Sequence, residues 1–202
     1  MFRSIISFAC VLVVASSVAV AGVKKPAFEI MGGMASLEQP VSRHSAENVR
    51  LPEELARKTV AFDRPLAPGS ILVKTEERKL YFVLPNHQAL QYSVGVGREG
   101  FTWSGTNRIS GKAEWPTWTP PPVMVEREAE RGHYLPESMP GGPDNPLGAR
   151  AMYIGHTDFR IHGTTQPWSI GKAVSSGCIR MVNSDVIDLY ARVKIGTLVV
   201  VE

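Results

Sequence analysis

Two short segments of the chain carry residue types that can do nucleophilic chemistry: Ile161-His162-Gly163-Thr164 and Ser175-Ser176-Gly177-Cys178-Ile179-Arg180-Met181. A cysteine nucleophile needs a thiol, an imidazole to take its proton, and amide donors for the oxyanion that forms on the attacked carbonyl. The first segment offers an imidazole at the end of a strand-like run. The second offers a thiol on a turn of small residues, where Gly177 lets the backbone come close to a ligand. A neighbouring imidazolium would also lower the thiol pKa. Each residue alone has a plainer reading. A single histidine is commonly a hydrogen-bonded core residue, free cysteine is commonly a small buried one, and Ser175 and Ser176 fit an ordinary turn. The combination is what points to catalysis.

The cysteine count sharpens the point. The chain has 2 cysteines, and Cys10 lies in an apolar run, residues 5–20, that follows Met1-Phe2-Arg3 and ends in Ala19-Val20-Ala21. A basic start, an apolar stretch and an A-x-A site read as a signal peptide over residues 1–21. The stretch is broken by Ser7, Ser16 and Ser17 and is short for a membrane core of about 30 Å. Cleavage would leave Cys178 as the sole thiol of an exported protein. No internal disulfide is then possible, and a reactive thiol, an intermolecular pair or a small buried side chain remain open.

Composition narrows the function classes. The formal net charge is +3 and the basic residues are scattered, which gives no reason to expect nucleic-acid binding. Gly95, Gly97 and Gly100 spell G-x-G-x-x-G. Phe101-Thr102-Trp103-Ser104-Gly105 does not open a helix, however, so a dinucleotide is not expected and the glycines read as the end of a strand and a loop. His133, His156, His162 and Cys178 lack the spacings of a zinc site. No metal and no cofactor are expected.

These residues must be held by a fold. Residues 22–67 read as a flexible spacer with a possible short helix over residues 51–60. From Pro68-Gly69-Ser70 onward, residues 68–202 read as one domain. Alternation predicts strands over 71–74, 79–84 and 89–96, with further strands over 151–154, 159–161 and 197–201. Asn183-Ser184-Asp185 caps a helix carrying Val186, Ile187, Leu189, Tyr190 and Val193, and Gly196 ends it. The connection over 115–148 is rich in proline, with a helix possible over 123–131, and its Trp115, Trp118, Met124 and Tyr134 favour a lid or substrate wall. The expected class is mainly β with one or two helices.

The chain resembles the L,D-transpeptidase (YkuD-like) catalytic-domain family. The signature of that family is a His-Gly pair followed by Ser-x-Gly-Cys-(Ile/Val)-Arg, here running from His162-Gly163-Thr164 to Ser175-Ser176-Gly177-Cys178-Ile179-Arg180, with Gly171 in the spacer. Pro116-Thr117-Trp118-Thr119-Pro120-Pro121 and Gly142-Pro143-Asp144-Asn145-Pro146-Leu147-Gly148 are similar to stretches of many Gram-negative members. The resemblance covers approximately residues 68–202. Many members carry a second histidine two residues before the cysteine, where this chain has Ser176, so His162 has no understudy as base.

The resemblance implies a β-sandwich or barrel-like domain with a proline-rich lid, in the periplasm, acting on peptidoglycan stem peptides. Cys178 would attack the carbonyl on the L-centre of the third residue of a tetrapeptide stem, expelling D-alanine and forming a thioester. His162 would serve as base and acid, oriented by the Gly163 carbonyl, and the backbone amides of Gly177 and Cys178 would bind the oxyanion. Arg180 would hold a stem carboxylate or brace the loop, and Ser175, Ser176, Trp118 and Tyr153 would contact substrate. The acyl acceptor could be the amine of a second stem, a lysine of an outer-membrane protein, or water, giving a cross-link, an anchor or a carboxypeptidase. Carbapenem-type β-lactams would be covalent inhibitors. A papain-like peptidase would place its cysteine before its histidine. An inactive peptidoglycan-binding module would have no need of the intact pair.

Overall fold

The computed structural model describes residues 50–202. The expected signal peptide, with Cys10, and residues 22–49 of the expected spacer lie outside the described residues. The strands in chain order are β1 (Lys58–Ala61), β2 (Ile71–Lys74), β3 (Lys79–Leu84), β4 (Gln88–Ser93), β5 (Val96–Gly97), β6 (Gly105–Glu114), β7 (Arg150–Ile154), β8 (Arg160–His162), β9 (Ala173–Ser175), β10 (Ile179–Arg180) and β11 (Leu198–Val201), with helices α1 (Pro122–Glu130) and α2 (Asn183–Arg192). The class is mainly β with two α-helices, as expected.

Nine strands form one mixed sheet in the order β1-β4-β3-β2-β11-β6-β7-β8-β10, and β5 pairs with β9 separately. Strands β2, β3 and β4 make an antiparallel meander. Its second turn carries Asn86 and His87 at φ 59° and 54°, the left-handed geometry that a tight hairpin requires. The apolar β11 enters parallel to β2 and antiparallel to β6. It is thereby surrounded on both edges, which suits a strand with no polar residue.

Alternation along β2 divides the interior. Ile71 and Val73 join the main core with Leu80, Tyr92, Met152, Ile161 and Ile179, while Leu72 turns to a smaller cluster with Phe62, Val83 and Ala89. Helix α2 lays Val186 and Leu189 on the main core, and Val193 just past its end joins them, the apolar face that the spacing predicts. Tyr92 Oη donates to Asp188 Oδ2 at 2.6 Å, and Arg57 reaches the same carboxylate at 3.0 Å. These bonds tie the segment ahead of the domain to α2.

Two features differ from the sequence reading. Residues 51–60, expected as a short helix within a spacer, form only a 3-10 turn at Glu53–Leu55 and then β1, which pairs with β4. Val60 is the one partly buried residue of β1, so side-chain pattern gave no signal; an open sheet edge recruits the strand through backbone bonds. The longest strand, β6, was also not expected. Only Ile109 within it is buried, and it is held by β11 and β7 on either side. Context rather than local periodicity makes it a strand.

Candidate active site

Strands β8 and β10 run parallel, with Ile161 opposite Ile179 and His162 opposite Arg180. Successive side chains of a strand point to opposite faces. Ile161 and Ile179 therefore enter the main core, and Arg160, His162, Cys178 and Arg180 point the other way. All four line one cavity of about 540 Å³. A strand pairing of two residues has brought together a thiol and an imidazole sixteen positions apart.

His162 is 4% exposed. Its Nδ1 lies 2.5 Å from the Gly163 carbonyl oxygen, so Nδ1 carries the proton and Nε2 is left as the acceptor of the neutral ring. Burial, followed by the nearby Arg180 guanidinium, drives the His162 pKa down to about 3. Cys178 donates its thiol to the Asp158 carbonyl at 3.7 Å. Burial pushes that thiol up, and Arg160 acts in the opposite direction through its backbone, its charge and its side chain. Both shifts favour a neutral thiol with a neutral imidazole over a thiolate–imidazolium pair at rest.

The ends of these strands are clamped. A Cβ on Gly163 would collide with Asn183 Oδ1, as would one on Gly148, which sits at φ 64°. Asn183 Oδ1 accepts from the Ala149 N–H at 3.0 Å. Asn183, expected as a helix cap, is instead the first residue of α2, following Val182 at the cap position, and its side chain joins α2 to the ends of β8 and the proline-rich segment. Only glycine at 148 and 163 leaves room for it.

The turn before β10 is fastened by Ser175. Its hydroxyl donates to the Cys178 carbonyl at 2.6 Å and accepts from the Gly177 N–H at 3.2 Å, and it is 1% exposed. The hydroxyl thus shapes the turn, and Ser175 also lines the cavity, where a substrate contact was expected. Gly177 sits at φ 107°, and a Cβ there would lie 2.5 Å from Phe159 Cε1, so no other residue fits. Of the two amides expected for the oxyanion, that of Gly177 already donates to the Ser175 hydroxyl. Ser176 lines the cavity.

The proline-rich segment walls the cavity with Trp118, Val123, Met124 and Leu147. Buried Asn145 holds the segment in shape: its Nδ2 lies 3.0 Å from the carbonyls of Pro116, Met139 and Pro140, and its Oδ1 accepts from the Leu147 N–H at 2.9 Å. Irregular backbone cannot satisfy itself, and one buried amide does it here. Trp118 is thus where a substrate contact was expected. Tyr153 is not among the residues that line the cavity; it sits on β7, packed against Gly111 and under the Arg160 guanidinium. His133 is drawn to Glu128, and neither His133 nor His156 lines the cavity. Arg160 and Gln166, which do, were missed. Arg160 was legible in principle, since alternation puts it on the same face as His162.

Comparison with known proteins agrees with this geometry. The family described as the YkuD L,D-transpeptidase catalytic domain matches residues 68–201. The chain is 40% identical over 134 residues to "Probable L,D-transpeptidase ErfK/SrfK" of Escherichia coli K12, covering 64% of this chain and 42% of that protein. It is 36% identical over 135 residues to "Probable L,D-transpeptidase YbiS" of the same strain, covering 65% and 43%. The chain thus spans about two fifths of the length of these relatives. The fold is similar to that of the Ldtfm–avibactam carbamoyl enzyme, with a TM-score of 0.53 at 23% identity over 68% of this chain and 49% of that one. A Brucella melitensis crystal structure named as a probable carnitine operon oxidoreductase is 43% identical, with a TM-score of 0.50 over 73% and 93% of the two chains. Its name has no counterpart in this fold: the Gly95-to-Gly100 stretch leads from β5 into a turn, with no helix opening on it. On the match over residues 68–201, the chain belongs to the L,D-transpeptidase catalytic-domain family.

Proposed function

We propose that this protein is a periplasmic L,D-transpeptidase that acts on peptidoglycan tetrapeptide stems through a thioester on Cys178. The observation that carries this reading is the parallel pairing of β8 with β10, which sets Cys178 and His162 on one face of a single cavity with the imidazole tautomer fixed by Gly163.

The chemistry follows from the resting charges. Cys178 Sγ attacks the carbonyl carbon on the L-centre of the third stem residue as its proton passes to His162 Nε2. Proton transfer and attack are coupled, because the neutral pair is the stable one before substrate arrives. The Cys178 N–H donates to the developing oxyanion, a contact of a kind worth about 3 to 4 kcal/mol. His162 then returns the proton to the amine of the departing D-alanine as the C–N bond breaks. In the second half the acceptor amine loses its proton to His162, attacks the thioester carbonyl and releases the Cys178 thiol. The acceptor is a second stem, giving a cross-link, or a lysine of an outer-membrane protein, giving an anchor.

A nucleophilic Cys178 thiol beside His162 carries a further expectation, that β-lactams of the carbapenem type acylate Cys178. Incubation with a defined tetrapeptide muropeptide, with and without an acceptor amine, followed by product masses, tests the proposal. Loss of D-alanine with transfer to the amine is expected. Hydrolysis alone would make the protein a carboxypeptidase, and an unmodified substrate would make it a binding module.

A further inference from the structure

Arg180 ends β10, and its backbone is held on both edges of that strand. It is in register with His162 of β8, and it exchanges two hydrogen bonds with Gly95, at 2.8 and 2.9 Å. Its half-buried side chain lines the cavity with His162 and Cys178. The partner of the guanidinium is a neutral group. Nη1 donates to the side-chain amide oxygen of Gln166 at 3.2 Å, and among the described residues no carboxylate forms an ion pair with Arg180.

Gln166 is itself fixed through its backbone. Its N–H donates to the hydroxyl of buried Thr164 at 3.0 Å. Its carbonyl accepts from the N–H and the hydroxyl of buried Ser169, at 2.9 and 2.7 Å. The exposed Gln166 side chain therefore starts from a set position at the cavity wall.

A carboxylate in this place would grip the guanidinium more tightly than an amide does, through a charge-assisted pair. It would also cancel the charge. The neutral amide occupies one N–H and leaves both the net charge and the other donors of the fork. Burial disfavours that charge, a cost that an anionic ligand offsets. The register with His162 indicates which anion. His162 returns a proton to the amine of the departing D-alanine, and the carboxylate of that residue is attached to the carbon that bears this amine.

We propose that Gln166 is a positioning residue, which holds the Arg180 guanidinium by a neutral bond so that it receives the terminal carboxylate of the donor peptide. This inference rests on the transpeptidase reading above and deepens it. Bracing of the loop, the other role open to Arg180, makes the opposite demand, since a carboxylate at position 166 would brace it better.

The test uses two tetrapeptide donors, one ending in D-alanine and one in D-alaninamide, with release of that last residue giving kcat/KM for each. The wild-type protein is expected to prefer the free acid about tenfold, the scale of one charge-assisted hydrogen bond. Gln166→Ala should reduce that ratio about threefold, the scale of one exposed hydrogen bond. Gln166→Glu should lower it further, as should Arg180→Gln. Effects of the lost charge on His162 fall on both donors and cancel in the ratio. A Gln166→Ala ratio equal to wild type, or a Gln166→Glu ratio no lower than that of Gln166→Ala, overturns the proposal. Release of both end groups by the wild type without preference sinks this inference alone, and release of neither sinks the transpeptidase reading with it.

Discussion

His162 and Arg180 are direct partners across the parallel pairing of β8 and β10. A permanent cation thus stands opposite the proposed general base, and together with burial it keeps the imidazole unprotonated. The base is ready over a wide pH range, at the expense of any resting thiolate. The predictions below follow from this pairing and from the turns that hold it.

The nucleophile can be identified by mass. Exposure of the wild-type protein to a carbapenem should add one inhibitor mass, and Cys178→Ser should add none. The described residues contain no other cysteine, so labelling that persists in the variant would place the nucleophile elsewhere.

The depressed His162 pKa has a signed consequence for stability. Its folded value of about 3 lies below the ordinary 6.5, so between these limits the unfolded chain binds a proton that the folded chain refuses. Stability is therefore full above pH 6.5 and falls as the pH is lowered through that window, by about 2 to 3 kcal/mol from pH 7.5 to 4.5 for this group. Urea denaturation at the two pH values should show that loss in the wild type and a flatter response in His162→Gln. Equal slopes in both proteins would contradict the assignment.

Ser175 acts on the reaction through the shape of the turn. Ser175→Ala removes the hydroxyl that binds the Cys178 carbonyl and the Gly177 amide and should cost about 1 to 2 kcal/mol of stability. It should lower kcat more than it raises KM, since the Cys178 amide loses its placement. A rise in KM alone would instead make Ser175 a substrate contact.

Asn145 should prove the most sensitive position of the proline-rich wall. Asn145→Ala removes the donor to the Pro116, Met139 and Pro140 carbonyls and the acceptor of the Leu147 amide, leaving Met139 only its bond from the Trp118 N–H, for an expected loss of about 2 to 4 kcal/mol. Limited proteolysis should then cut within residues 115–148 first. A variant as stable and as resistant as wild type would mean the segment is held by other contacts.

Gly177→Ala meets both a positive φ and the Phe159 ring. It should destabilise the turn by about 1 to 3 kcal/mol and abolish carbapenem acylation while the far-UV circular dichroism stays native in form. Normal acylation would show that the turn tolerates a side chain.

Local pattern made much of this molecule legible in the linear chain. Apolar alternation marked the β2–β4 meander, β7, β8 and β11, because those strands each have a face in the core, and the spacing of Val186, Leu189 and Val193 marked the packing face of α2 and the residue just past its end. The chemical types of His162 and Cys178 were equally plain, since few side chains can do nucleophilic chemistry and this chain holds them in two short motifs. Tertiary structure alone decided the rest. Strands β1 and β6 carry no strong pattern and exist because neighbouring edges offer backbone partners. The Ser175 hydroxyl closes a turn, Asn183 clamps glycines that are distant along the chain, and the meeting of thiol and imidazole depends on a parallel pairing of two residues. Periodicity reports which face of an element is buried, but non-local hydrogen bonds and register depend on which elements become neighbours, and that is settled only when the whole sheet assembles.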